Sequence, residues 1–156
     1  MISYPAPLLA RIPPPVWTAL YVAMAMLADG LLPQLRFEAL RIPLLGGIIA
    51  AMALVLAVWA ALLFKRYGTQ IFPASRSNAH VVEDGPYSFT RNPMYLALVL
   101  LTAGIAFRYG GLPLFLVPVA VFYTNDRIVI PYEEHKMEAQ HGDRFRSYMN
   151  RVRRWI

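Results

Sequence analysis

The chain has 156 residues and no cysteine. That excludes a disulfide scaffold, a cysteine-ligated zinc site and a cysteine nucleophile. Charge is scarce: 15 % of residues are Asp, Glu, Lys or Arg, against about 25 % in ordinary soluble domains. The sequence has no GxGxxG, P-loop, GxSxG or HExxH, so it carries no motif for a Rossmann cofactor site, a nucleotide cradle, a serine hydrolase or a zinc protease. What it has in excess is apolar surface: 58 % hydrophobic residues and a mean hydropathy of +0.44. Such a chain is not disordered, and its length suits one domain. The net charge of +6 does not point to nucleic acid, because the basic residues lie between long apolar runs.

Residues 1–15 hold five of the 13 prolines and read as a proline-rich arm, since proline lacks the backbone donor a helix interior needs. Two spans are expected within 16–66. The second apolar run, 43–64, has 22 residues, no charge, and 11 Leu, Ile, Val or Phe residues. About 20 helical residues cross a hydrocarbon core about 30 Å thick. Residues 67–93 form a polar loop. Residues 94–130 read as two helices of a hairpin turning at Gly110-Gly111, and 131–156 as a polar tail. Met137, His141, Phe145, Tyr148, Val152 and Trp155 make an apolar stripe there at helical spacing, surrounded by arginines. A stripe of that kind is expected to lie on anionic headgroups, with Gly142 a candidate break. The expected fold is therefore an all-α integral membrane protein: four transmembrane helices, the third and fourth forming a helical hairpin, and a C-terminal amphipathic cytoplasmic helix. Twelve Lys and Arg residues fall on the side of the arm, loop and tail, against Arg36, Arg41 and Arg108 opposite. The positive-inside rule then places both termini in the cytoplasm. Ala23-Met24-Ala25 has the small residues of a signal-peptidase site, but the proline triplet upstream fits a leader poorly.

The candidate functional residues gather on one membrane face. Asn92-Pro93 reads as an N-cap followed by a first helical residue. The unpaired N–H groups of that first turn suit a ligand carboxylate, and Tyr87 and Tyr95 are placed to flank a planar ring. Arg91 reads as an interfacial anchor. Glu133-Glu134 follow Pro131; acids there offset a helix dipole, or one of them faces a ligand cation while its neighbour, about 100° away, pairs outward. Asp126 and Arg127 interrupt an apolar run, and ionisable residues in such runs are candidates for function. His135 and His141 have no third partner for a metal, and no metal is expected.

Gly85-Pro86-Tyr87, Arg91-Asn92-Pro93-Met94-Tyr95, the glutamate pair about 40 residues on and the Gly142…Phe145…Tyr148…Val152 tail resemble the isoprenylcysteine carboxyl methyltransferase family. The phospholipid N-methyltransferases share this pattern, which covers residues 79–156. The resemblance implies an integral membrane methyltransferase using S-adenosylmethionine on a lipid-like or small hydrophobic acceptor. Carried across, it implies that Ala79, His80, Val81, Val82, Tyr87, Asn92, Pro93, Met94, Tyr95, Glu133 and Glu134 enclose the cofactor, and that Arg127 meets the polar end of the substrate. The bilayer and an amphiphile are the implied partners; neither nucleic acid nor metal is. The family histidine is Asn92 here, which keeps hydrogen-bonding capacity and loses the imidazole. Ala97 replaces a glycine two places after the motif tyrosine. No catalytic base is assigned. A nicotinamide-dependent reductase of sterol-reductase type, or a non-catalytic membrane interaction protein, are the alternatives.

Overall fold

A computed structural model describes residues 12–68 and 80–156. Most of the proline-rich arm, and Ala79 of the expected cofactor segment, lie outside the described residues. Among the described residues the fold is helical, with one isolated bridge, Arg36 to Gly111, in place of a sheet. The helices are α1 (Pro14–Leu31), α2 (Pro43–Arg66), α3 (Pro93–Tyr109), α4 (Leu112–Thr124), α5 (Ile130–His141) and α6 (Asp143–Arg151). A 3₁₀ turn, Gly85–Ser88, precedes α3, and a π-turn, Asn125–Val129, joins α4 to α5 without a break. Proline opens α1, α2 and α3, where its fixed φ suits a first turn and its missing donor is not needed.

Two helices are long and apolar enough to cross a membrane: α2, and the continuous helix Leu112–His141. Only 11 % of the most apolar stretch of α2 is buried inside the protein. Leu44, Ile48, Met52, Val55, Val58 and Leu62 all face outward. A soluble core helix would be mostly covered; one this bare needs lipid around it. The second helix is apolar through Ile130 except at Asn125, Asp126 and Arg127. Past Pro131 it carries Glu133, Glu134, His135 and Lys136, so its last turns project beyond the apolar zone as part of a polar cap.

α2 packs most extensively on α3. The buried residues of α2 are Gly46, Ala53 and Ala60, one every seventh position, and Gly46 faces Gly104 of α3. A Cβ on Gly46 would stand 2.5 Å from the Gly104 carbonyl oxygen, so the backbones meet there directly. Helices in lipid gain no hydrophobic drive from one another, and close approach through small residues supplies the contact instead. The chain turns back from α3 to α4 at Gly110-Gly111. Gly110 has φ +78°, which glycine adopts without strain. α1 lays Trp17, Thr18, Tyr21 and Ala25 against α4.

The tail departs from expectation. It is two helices, because Gly142, at φ +53°, breaks the run. Its stripe does not rest on headgroups: Phe145 and Tyr148 are buried against Val81, and the Tyr148 hydroxyl donates to the Tyr87 carbonyl at 2.7 Å. The loop ahead of α3 offers a buried surface that covers the stripe, so the amphipathic helix closes the polar cap.

Candidate cofactor site

The site is built where four segments meet. α2 delivers Phe64 from its last turns. The 3₁₀ turn delivers Tyr87, whose ring stacks on Phe64 with centroids 5.0 Å apart and planes 14° from parallel. Gly85 permits this docking: at φ +56°, it leaves room for Leu63 and Trp59, which a side chain would strike. Tyr67, just beyond α2, donates its hydroxyl to Asp84 and ties the same turn down. The first turn of α3 delivers Asn92, Pro93, Met94 and Tyr95, and α5 delivers Glu133. Phe64, Tyr87, Arg91, Asn92, Pro93, Met94, Tyr95 and Glu133 line one pocket of about 50 Å³. That volume takes the end of a ligand, with its remainder extending through the open side.

The two glutamates have different fates. Glu134 is held between two guanidinium groups: Arg91 donates to its Oε1 at 2.6 Å and Arg154 to its Oε2 at 2.5 Å. Arg154 also reaches Asp126 at 3.1 Å, and the Trp155 indole donates to the same carboxylate oxygen at 3.0 Å. Arg91 donates as well to the Met149 and Val152 carbonyls. It is thus a half-buried hub and not an interfacial anchor. Asn92 does not cap α3 with its side chain; its amide donates to the Arg154 carbonyl at 3.0 Å. These contacts fold the chain around Arg154 back over the start of α3 as a clasp.

Among the described residues no arginine pairs with Glu133. Its carboxyl accepts from the Tyr95 hydroxyl. Burial pushes its pKa up to about 7; the Tyr95 bond and nearby Lys136 pull the other way, and Glu134 adds to the rise. Desolvation disfavours the charged form of a carboxyl, and a perturbed acid in a pocket is a marker of a functional site. The Tyr87 phenol is also raised by burial, so it stays neutral. α4 and α5 are one helix, so the pair is not at a free helix start, and relief of a helix dipole does not explain Glu133.

The structure thus brings together Tyr87, Asn92, Pro93, Met94, Tyr95 and Glu133. Val81 and Val82 are buried just outside, Val82 beside Tyr87 and Val81 beneath Phe145 and Tyr148, while His80 is exposed. Glu134 faces the clasp. Arg127 is exposed, 3.5 Å from Asp126 and over the Tyr123 ring, and it does not line the pocket. Phe64 was not anticipated; an aromatic at the loop end of the second span was its signal. The clasp was not anticipated either, and nothing local in the sequence announces it.

An apolar helical bundle whose polar cap holds a desolvated carboxyl beside an aromatic stack defines a membrane protein with a built ligand pocket. Residues 42–144 match the phospholipid methyltransferase family, and the chain belongs to that family, a family of membrane methyltransferases. No curated protein and no solved structure matches the chain.

Proposed function

We propose that the protein transfers a methyl group from S-adenosylmethionine to an amphiphilic acceptor at the membrane surface. In this reading α1, α2, α3 and the Leu112–Ile130 stretch all cross the bilayer, and the polar cap and both termini are cytosolic. Four crossings put the basic loop and tail on one side, as the positive-inside rule favours.

The observation that carries the reading is the Glu133 carboxyl, which lines the pocket half-buried beside Tyr95 and pairs with no arginine among the described residues. A carboxyl drawn out of water in this way is costly unless something cationic meets it. S-adenosylmethionine, when bound, supplies an activated methyl on a cationic sulfur and also bears an ammonium. Glu133, oriented by Tyr95, would hold that cationic end. The Phe64–Tyr87 stack would flank the purine, and the free N–H groups of the first turn of α3 would meet the carboxylate. Val81 and Val82, with Ala79 and His80 before them, would wall the nucleoside as the family resemblance implies. Glu134 would serve by fixing the first turns of α5. Arg127, exposed on the same face, would meet the polar end of the acceptor. Burial of Tyr87 and Tyr95 limits water at the reacting end, and holding two reactants in line accounts for much of a transfer barrier.

Calorimetric titration of the detergent-solubilised protein with S-adenosylmethionine tests this, with NADPH as the control nucleotide. Wild type binds the former and not the latter, and Tyr95→Phe binds more weakly. A folded wild type that binds only NADPH, or neither, removes the proposal.

A further inference from the structure

A second site lies on the seam between α1 and α4. An open groove of about 190 Å³ runs along it, lined by Tyr21, Met24, Ala25, Leu116, Val117 and Ala120 among others. Its floor is made of small or branched residues, and its rims, Met24 and Leu116, are 68 % and 63 % exposed on the surface that faces lipid. A helix about 10 Å across does not fit such a slot; a single hydrocarbon chain does.

The groove does not end in more hydrocarbon. At its polar-cap end the Tyr21 hydroxyl meets the Thr124 hydroxyl at 3.4 Å. One turn nearer the cap stand Trp17 and Thr18, and beside Thr124 stands Asn125, which begins the π-turn. All three are buried, at 2 %, 5 % and 0 % exposure. Asn125 spends its amide N–H on the Val121 carbonyl. Among the described residues, the Trp17 indole N–H, the Thr18 hydroxyl and the Asn125 carbonyl oxygen have no partner. Unpaired polar atoms at such depth cost free energy each, and native proteins leave few of them. Here they include a donor, a hydroxyl and an acceptor, on the α1 turn before Tyr21 and on the residue after its partner Thr124. The π-turn is a local departure of the kind that often marks a functional position.

Trp17 also belongs to the packed cluster that holds Ile130 and Tyr95, and Tyr95 is the residue that binds Glu133. The polar end of the groove and the pocket therefore share one packed cluster of side chains.

Resting on the methyltransferase reading, we infer that the α1/α4 seam is the acceptor subsite. It seats one chain of an amphiphile in the groove and a neutral hydrogen-bonding neck, such as an ester or amide, at Trp17, Thr18 and Asn125. The head then reaches the Glu133 pocket from the side opposite the loop.

The test uses the full chain in phosphatidylcholine nanodiscs with S-adenosylmethionine. Two trace probes carry a diazirine in the chain: an acyl chain on phosphatidylethanolamine, and a prenyl chain on a thioether carboxylate. After photolysis, labelled peptides are mapped. At least one probe labels the Met24 and Leu116 segments well above the outward face of α2 at Val55 and Val58, and which probe does so identifies the chain. Ala120→Phe, a partly exposed site that fills the groove, reduces labelling to the α2 level. Thr18→Val, which keeps shape and loses one hydrogen bond, reduces it roughly fivefold. Equal labelling of both faces, or labelling untouched by Ala120→Phe, overturns the inference. Selective labelling by a protein that calorimetry shows to bind no S-adenosylmethionine supports the groove and refutes the methyltransferase reading.

Discussion

Both ends of the bundle bury an acid beside an arginine, and they differ in what is left over. At the Gly110 end, Asp29 of α1 is held by Arg36 at 2.7 and 2.9 Å. Its second oxygen is buried without a partner among the described residues, but there is no space in front of it: a Cβ on Gly111 would stand 1.9 Å away. At the polar cap, Glu134 takes two arginines, and its neighbour Glu133 faces a pocket walled by aromatic rings. The first arrangement is a lock on a loop, which also closes through the Phe37 N–H to the Gly110 carbonyl at 3.2 Å and the Ile42 N–H to the Phe107 carbonyl at 2.8 Å. The second leaves one carboxyl facing open space. An unsatisfied buried oxygen marks a site only where there is room for something to satisfy it.

Four substitutions and one titration would sharpen or break this contrast. Glu133→Gln keeps shape and removes charge; it lowers S-adenosylmethionine affinity about 100-fold, within the range for a hydrogen bond to a charged group. Asp29→Asn leaves that affinity unchanged, and calorimetry on the two variants side by side reads the difference. If both lose binding alike, the two ends are not distinct. Gly111→Ala drives a methyl into the Asp29 carboxylate and costs about 2 kcal/mol, as overpacking does, seen as a lower thermal midpoint in detergent with affinity intact in the folded fraction. Arg154→Ala opens the clasp. Arg154 is one-third exposed, so solvent screening reduces the cost to about 1–2 kcal/mol, together with weaker cofactor binding as the first turns of α5 loosen. The titration gives the smallest effect. With a pKa near 7, Glu133 is mostly neutral at pH 6 and mostly charged at pH 8. A cation binds the charged form, so affinity rises about tenfold over that interval and binding releases a proton. Tyr95, Lys136 and Glu134 act on the group, and Glu133→Gln removes this carboxyl's share of the rise, so the variant's profile is shallower than wild type's.

The apolar half of the fold is legible from residue order alone. The run from 43 to 64 becomes α2 with its boundaries nearly unchanged, because twenty consecutive apolar residues have few other solutions. The seven-residue spacing of Gly46, Ala53 and Ala60 was equally available, yet a reading attentive to charge and motif passes over small residues. The polar cap is less legible because its partners are far apart in the chain. Glu133 and Glu134 are equivalent by type and spacing, and only Arg91 and Arg154, arriving from either side, decide which one is consumed. The tail stripe has the pattern of a membrane-surface helix, and periodicity cannot say whether lipid or the chain's own loop covers it. The chemistry around Tyr87, Tyr95 and Glu133 was visible as a motif, whereas Phe64 came from a segment read only as a span.

The clasp has a consequence for how the protein is made. Arg154 lies 20 residues after the Glu134 it grips, and every helix that meets the bilayer precedes it in the chain. Glu134 therefore lacks one of its arginines until residue 154 has been added, and the polar cap closes only after the segments that form α1 to α6 have been synthesised.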